Sequence, residues 1–168
     1  ITGDSKIIIA GGQESMSNAP HLLLQAREGY KYGERKIYDH IELDGLQDPY
    51  QQVAMGKYGE LCAKELKIPR TEQDEYAFSS YSKAREAMTT GFFKNEIIAI
   101  DTNNKKNKHQ VDKDEEPFSV NLDKLPNLRT VFDKQGTITA GNASSINDGA
   151  ALLVIMEEKH ALKQGLTP

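Results

Sequence analysis

The chain has 168 residues, and its 21 basic and 25 acidic side chains give a formal net charge of −4. Hydrophobic residues account for 38% and charged residues for 27% of the sequence, a balance that supports a buried core and excludes intrinsic disorder and collagen-like repeats. A single cysteine excludes an internal disulfide framework and a zinc site built from several cysteines. No apolar run approaches the ~20 residues that cross a bilayer, so we expect no membrane partner.

The first predicted element is a strand. Residues 6–10 form a short apolar run that stops at Gly11 and Gly12, a pattern typical of a strand buried on both faces. Because a central strand begins so abruptly, we expect the chain to be cut from a longer protein. The polar residues 18–44, broken by Pro20 and by glycines, predict an excursion over a surface, where tyrosine and arginine fit a subunit interface or a merely solvated loop.

Two helices are predicted in the middle of the chain. Asp48 followed by Pro49 resembles an N-cap with proline at the first helical position, and apolar residues then recur at helical spacing until Pro69. Thr71 with Asp74 resembles a capping box and predicts the second helix, and Gly91 marks its end.

The remaining elements lie in the second half. Residues 96–101 predict a strand, and the charged segment 103–116 that follows predicts a loop. Residues 137–140 predict a further strand, residues 150–156 a second fully buried strand, and residues 157–164 a closing helix. Because apolar strands near both ends enclose a more polar, helical middle, we predict an α/β fold with a large insertion between the terminal strands.

Two segments rich in glycine and small polar residues adjoin the predicted terminal strands. Residues 141–149 have small side chains apart from Ile146, so backbone groups can approach a ligand, and the hydroxyls of Ser144 and Ser145 can add directed hydrogen bonds. Residues 10–17 follow a strand at its carboxyl end, where ligands gather in open α/β sheets. Composition alone favours a tight connection for the first segment, and packing alone would explain the second.

Other candidate sites receive less support. Cys62 lies on the apolar stripe of the first predicted helix, which favours a buried structural thiol over a nucleophile. Tyr81 is by default a core tyrosine, or else a polar handle in a pocket. The histidines lack metal-ligand spacing, and the acidic residues 112–116 favour a solvated face. A basic cluster fits either a ligand's phosphates or a hydrated loop, and the acidic residues after it argue against nucleic-acid binding: Lys105, Lys106 and Lys108.

Several motifs coincide along nearly the whole chain. In chain order they are IIIAGGQESMSNAPHL, AMG, TEQDEYAFSSYSKA, FFKNEIIAI, DKDEEPF and LRTVFDKQGTITAGNASSINDGAALLVIM. Together they resemble the middle of a thiolase of the acetyl-CoA acetyltransferase (acetoacetyl-CoA thiolase) type. Among them GGxESMS and TAGNASxxNDGAA are each uncommon, and their separation also fits.

The resemblance implies an enzyme that condenses two acetyl-CoA molecules to acetoacetyl-CoA and CoA, or runs the reverse thiolysis, through an acyl-cysteine intermediate. It implies thiolase-like mixed-sheet strands at both ends with a large inserted α+β loop domain. Residues 1–16 would end the N-terminal thiolase half, 17–146 would form the CoA-binding loop domain, and 147–168 would supply the return strand and helix.

The sequence lacks the catalytic motifs of the family. It contains neither the acylated cysteine motif, nor Gly-His-Pro, nor Cys-x-Gly-x-Gly, and Cys62 matches none of them. Because thioester exchange depends on a thiolate, we expect no catalytic residue in this chain and no activity from it alone. The alternatives are a non-catalytic CoA-binding or oligomerisation module, and a 3-ketoacyl-CoA thiolase of broader chain length.

The resemblance also implies roles for individual residues. Ser144 would bind the pantetheine arm of CoA, Met55 would line the acyl pocket, and Tyr81 would lie close to CoA and a potassium ion. Backbone carbonyls would complete the potassium site, at Ala140, Gly141 and Ala143. The nucleotide end of CoA would touch Ser119, Val120, Asn121 and Lys124.

Two departures from the family pattern stand out. Ala54 replaces a histidine of many biosynthetic members, which puts strict short-chain preference in doubt. Gly141 replaces an alanine of some potassium-dependent members, a change that is tolerated if only the carbonyl is used.

The resemblance further implies no covalently bound cofactor and a homotetramer assembled through residues 20–40. Tyr81 favours the potassium-responsive enzymes, so we expect an intracellular protein, mitochondrial rather than cytoplasmic.

Overall fold

The computed structural model of the chain describes residues 3–104 and 107–167, with side chains at these positions except 103, 104 and 107–109. Lys105 and Lys106 of the expected basic cluster therefore lie outside the described residues, as does the side chain of Lys108. The chain divides into two compact units: residues 1–46 with 146–168, called the terminal unit here, and residues 47–145, the central unit.

The terminal unit is organised around a pair of antiparallel strands. β1 (Ile7–Glu14) pairs with β6 (Gly149–Met156), so that Ile7 lies opposite Met156 and Glu14 opposite Gly149. The expected terminal strands are thus confirmed, but their expected burial on both faces is wrong for this chain. Successive side chains point to opposite faces, and the aliphatic residues occupy both faces, with Ile9 69% exposed and Leu152 74% exposed.

The rest of the terminal unit consists of short elements. A two-residue pair joins β2 (His21–Leu22) to β3 (Tyr38–Asp39), and a π-helical turn follows at Ile41–Leu46. The closing helix α4 (Glu158–Lys163) is confirmed, and Gly165 follows it with a φ of +72°, the left-handed conformation that glycine adopts at helix ends.

Two helices form the frame of the central unit. α1 (Met55–Glu65) begins six residues later than expected, because the Asp48 carboxylate accepts hydrogen bonds from the amides of Tyr50 and Gln51 and closes a turn instead of capping a helix. α2 (Arg70–Thr89) follows Pro69 as predicted.

Both ends of α2 are now defined. The expected capping box is wrong, because α2 has no side-chain cap and Asp74, its expected second member, is engaged elsewhere. The predicted end is confirmed: the helix stops at Thr89, and Gly91 has a φ of +74°.

The segment between α2 and β6 differs most from the expected secondary structure. A hairpin of β4 (Ile100–Asn104) and β5 (Asn107–Val111) replaces the expected strand 96–101 and much of the expected loop. The strand expected at 137–140 is wrong too, since only an isolated bridge joins Thr130 to Thr139.

A short core holds the central unit together. α3 (Glu116–Ser119) and the 3-10 turn Leu122–Asn127 both pack against α2. Leu125 is 2% exposed and Thr139 0% exposed, whereas Cys62 is exposed, so the expected burial of that thiol is wrong. Among the helices of residues 3–104 and 107–167, none has the length and apolar character needed to cross a membrane.

Candidate functional site

A carboxylate joins two parts of the central unit that carry expected site residues. The Tyr81 hydroxyl, on α2, donates to Oε1 of Glu116 at 3.3 Å, and the Ser145 hydroxyl donates to Oε2 of the same side chain at 2.5 Å. Ser144, which is exposed, immediately precedes Ser145. The structure therefore brings Tyr81 close to Ser144 and Ser145 and gives its hydroxyl a hydrogen-bond partner.

Glu116 was not expected to take part in a site. Its sequence neighbours suggested a solvated face, but its side chain is half-buried and accepts from two hydroxyls. Burial raises the pKa of the Tyr81 hydroxyl, and the negative charge and hydrogen bond of Glu116 raise it further. The phenol therefore stays protonated, and remains a donor, to a higher pH than a free tyrosine.

Arg85 organises the segment that follows α3. It lies one helical turn after Tyr81, and its guanidinium donates to the carbonyl oxygens of Pro117 and Val120, each at 2.5 Å. A cleft of about 640 Å³ opens beside it. Its walls include three expected CoA-binding residues and their neighbours: Phe78, Arg85, Phe118, Ser119, Val120, Asn121, Leu122 and Asp123.

Residues 137–145 form the other side of this arrangement, and they are called the serine loop here. Its turn closes through the amides of Asn142 and Ala143, which both donate to the carbonyl of Thr139. The turn's own hydrogen bonds use the carbonyl oxygens of Thr137 and Thr139, not those of Ala140, Gly141 and Ala143. Carbonyl oxygens of this kind suit a hard monovalent cation, so the donor set fits the expected potassium site.

Gly141 is a close-packed position in the serine loop. A methyl group at this position would overlap the side chains of Leu125 and Leu128. Leu125 is almost completely buried, so the space that an alanine side chain would take is filled by leucine. An alanine at this position would therefore require the side chains of Leu125 and Leu128 to shift.

Two expected site residues stand apart from the Tyr81 cluster. Met55 is exposed at the first position of α1, and Lys124 is exposed in the turn Leu122–Asn127. Neither side chain takes part in the hydrogen bonds that join Tyr81, Glu116 and Ser145. Their roles stay predictions.

Within the terminal unit, residues 10–17 contact the last residues of the segment 141–149. The Asp148 carboxylate accepts a hydrogen bond from the amide of Ser17 at 2.8 Å. This backbone hydrogen bond, with a further bond from the Ser17 side chain, holds the pKa of Asp148 below its usual value. The contact ties the residues that follow β1 to those that precede β6.

Metal binding through side chains has no candidate in the described part of the chain. No group of three or more histidine, cysteine, aspartate or glutamate side chains there could hold an ion.

The chain is similar in sequence to a known protein family. A family model described as "Thiolase, N-terminal domain" matches residues 1–159. An acetyl-CoA acetyltransferase of Schizosaccharomyces pombe is 45% identical over 171 residues, which cover 100% of this chain and 43% of that protein. An acetyl-CoA acetyltransferase of Thiocystis violacea is 46% identical over 168 residues, which cover 99% of this chain and 43% of that protein.

A solved structure shows the same likeness. The acetyl-CoA acetyltransferase of Syntrophomonas wolfei matches with a TM-score of 0.85 at 38% identity, covering 99% of this chain and 42% of that one. The chain belongs to the thiolase family, and the expected thiolase-like α/β fold is confirmed. It spans less than half the length of the relatives that it matches.

Proposed function

We propose that the protein carrying this chain is an acetyl-CoA C-acetyltransferase. It would condense two acetyl-CoA molecules to acetoacetyl-CoA and CoA, or run the reverse thiolysis, through an acyl-cysteine intermediate. The relatives named acetyl-CoA acetyltransferase, at 45% and 46% identity over nearly the whole chain, support this proposal. The contribution of this chain would be CoA binding, with the catalytic cysteines and histidine on other parts of the protein.

The observation that carries the proposal is the link from Tyr81 through Glu116 to Ser145. It brings a helix and the serine loop together at the position of Ser144, whose exposed hydroxyl is free to bind the pantetheine arm. Pantetheine carries amide groups, which are suitable partners for a serine hydroxyl. The helix and loop would thus form one wall of a CoA site.

The nucleotide end of CoA would lie along residues 119–121. These residues line the 640 Å³ cleft, and Arg85 fixes their backbone. Lys124, one turn further on, would supply positive charge for phosphates. Met55 would line the acyl pocket, next to Ala54 in place of a histidine.

The terminal strands would belong to a larger mixed sheet in the complete protein. Residues 17–146 would form an inserted CoA-binding loop domain between the early strands, residues 1–16, and the return strand and helix, residues 147–168. Apolar strands buried on both faces are typical of covered α/β sheets, and the exposed aliphatic side chains of β1 and β6 support this proposal.

Potassium would bind at the serine loop near Tyr81. When bound, the ion would add a fixed positive charge beside the thioester carrier. The carbonyl groups of Ala140, Gly141 and Ala143 and the Tyr81 oxygen would hold it. We also propose assembly into a homotetramer through the exposed residues 20–40, and a mitochondrial location.

Titration with CoA tests the proposal most simply. The complete protein is titrated at matched ionic strength in potassium and in sodium, as wild type, Ser144→Ala and the control Ser79→Ala, an exposed serine on α2. We expect Ser144→Ala to weaken CoA binding about tenfold, the effect of one lost hydrogen bond, and Ser79→Ala to leave it unchanged. Equal affinities for the three proteins would contradict the assignment of Ser144.

A further inference from the structure

The serine loop is anchored by carboxylates on three different helices. The first is Glu60, on α1, which accepts from the amide of Thr137 at 2.8 Å, from the Thr137 hydroxyl at 3.0 Å and from the amide of Ile138 at 2.9 Å. Gly136 packs so closely that a methyl group there would overlap the Glu60 carboxylate. The beginning of the loop is therefore fixed to α1.

The second anchor, Asp74 on α2, is the most deeply buried of the three. It is 7% exposed, and it accepts from Asn142 Nδ2 at 3.0 Å and from Arg70 Nε at 2.7 Å. Asn142 Oδ1 in turn accepts from the amide of Thr139 at 2.8 Å. A carboxylate this deep needs such partners to offset its lost hydration.

Arg70 extends this anchor to a further segment. Its Nη2 donates to the carbonyl oxygens of Leu125 and Leu128, at 2.7 and 3.1 Å. The Arg70–Asp74 pair, in which only Asp74 is buried, therefore holds the serine loop on one side and the turn Leu122–Asn127 on the other. Both segments carry residues proposed to bind CoA.

The third anchor is Glu116 on α3, which accepts from Ser145 and from Tyr81. The three carboxylates thus act at the beginning, the middle and the end of the loop. Ser144 and Ala140 remain exposed between the anchored positions. The loop is held by its inner side, and its outer side is left open.

We propose that Glu60, Asp74 and Glu116 are positioning residues that preform the serine loop for its ligand. The inference rests on the proposed function, because the ligand is taken to be a CoA thioester. A loop that is already ordered loses little conformational entropy on binding, so anchoring raises affinity without any contact to the ligand. None of the three carboxylates needs to touch CoA for this effect.

Amide hydrogen exchange and CoA titration of the complete protein test the inference together. The principal variant is Asp74→Asn, which keeps the shape of the side chain but cannot accept from both Arg70 and Asn142 in the same way. Glu116→Gln is the second variant, because Glu116 is less buried than Asp74 and its replacement should destabilise the fold less. The control is Glu72→Gln, an exposed residue in the first turn of the same helix as Asp74.

We expect Asp74→Asn to speed exchange at the amides of Thr139, Asn142 and Ala143, and to weaken CoA binding about tenfold, the cost of ordering about one loop residue again on binding. Exchange in the helices outside the loop, and the thermal midpoint of the Glu116→Gln variant, should stay close to wild type. Glu116→Gln should speed exchange at the end of the loop and weaken binding less. Glu72→Gln should match wild type in both measurements.

The outcomes separate the two proposals. Unchanged loop exchange in both variants, or faster exchange spread over the whole protein in both, would overturn the positioning role. Faster loop exchange with unchanged CoA affinity would also overturn it as a device for CoA, while leaving the proposed function intact. Failure of the wild type to bind CoA, with the local exchange effect present, would contradict the proposed function itself.

Discussion

The serine loop and the terminal strands differ in how far their side chains find partners within the chain. The loop's polar groups find partners within the central unit, through Glu60, Asp74 and Glu116. The terminal strands pair their backbones along eight residue pairs, yet their aliphatic side chains remain exposed on both faces. Hydrogen bonds within the central unit thus hold the loop, whereas the strands leave apolar surface exposed to water.

Among the changes considered, loss of the buried Asp74 carboxylate should lower the stability of the protein most. Asp74→Ala leaves the Arg70 guanidinium without its carboxylate, and we expect the free energy of unfolding to fall by about 3 kcal/mol. Urea unfolding of the complete protein measures this change. The control Glu72→Ala should cost less than about 0.5 kcal/mol, and similar losses for the two variants would show that the pair is not the anchor described.

Packing around the loop gives the next largest effect. Gly141→Ala introduces a methyl group against Leu125 and Leu128, and we expect a loss of about 2 kcal/mol from overpacking. Gly45→Ala in the π-helical turn is the matched control, because a methyl group there meets nothing within 4 Å. Thermal or urea unfolding compares the two variants, and a Gly141→Ala protein as stable as Gly45→Ala would contradict the close packing.

The terminal strands offer a test of the proposed covering layers. Ile9→Val should cost about 1 kcal/mol in the complete protein, where the strand is proposed to be buried. The same change should leave the stability of the 168-residue chain nearly unaltered, because Ile9 is 69% exposed there. Urea unfolding of both proteins provides the comparison, and equal costs would speak against added layers over β1.

The contact between Asp148 and Ser17 predicts a pH effect of smaller size. Its hydrogen bonds lower the pKa of Asp148 in the folded protein, so the stabilisation is fully present above the ordinary aspartate pKa of about 3.9. It is lost as the pH falls from there through the lowered folded value. Asp148→Asn should therefore reduce stability near neutral pH and flatten its acid dependence, as measured by unfolding over a pH series. A wild-type acid dependence in Asp148→Asn would rule out this contribution.

Local signals in the sequence predicted much of the fold. The glycines after α2 and α4 adopt the left-handed conformation that ends helices, and Pro69 separates two helices as expected. Apolar runs located both terminal strands. Short-range patterns suffice for these features, because each depends on residues a few positions apart.

Two of the wrong expectations involve distant partners. Asp74 matched a capping pattern, but its partner Asn142 lies 68 positions away, and Glu60 binds Thr137 at a separation of 77. The hairpin is a local error instead: β5 pairs with the neighbouring β4, which its polar composition does not reveal. The one sequence cue to Asp74 was Arg70 four positions earlier, the spacing of an ion pair on a helix.

The candidate site was predictable only in part, because the residue that connects its segments lies far from both of them in the sequence. The motif around Ser144 and the helix carrying Tyr81 were recognised by resemblance, whereas Glu116, which connects them, was hidden in an acidic run. A carboxylate that links two segments leaves no periodic or local signature. Its role is visible only in the folded chain, because Glu116 lies 35 positions from Tyr81 and 29 positions from Ser145 in the sequence.

A crystal structure of the complete protein with CoA is the most direct test of the account. We predict that the pantetheine arm lies within hydrogen-bonding distance of the Ser144 hydroxyl, beside the Tyr81–Glu116–Ser145 link, with the nucleotide along residues 119–121. CoA bound at another surface, without contact to the serine loop or to the cleft along residues 119–121, would contradict this account.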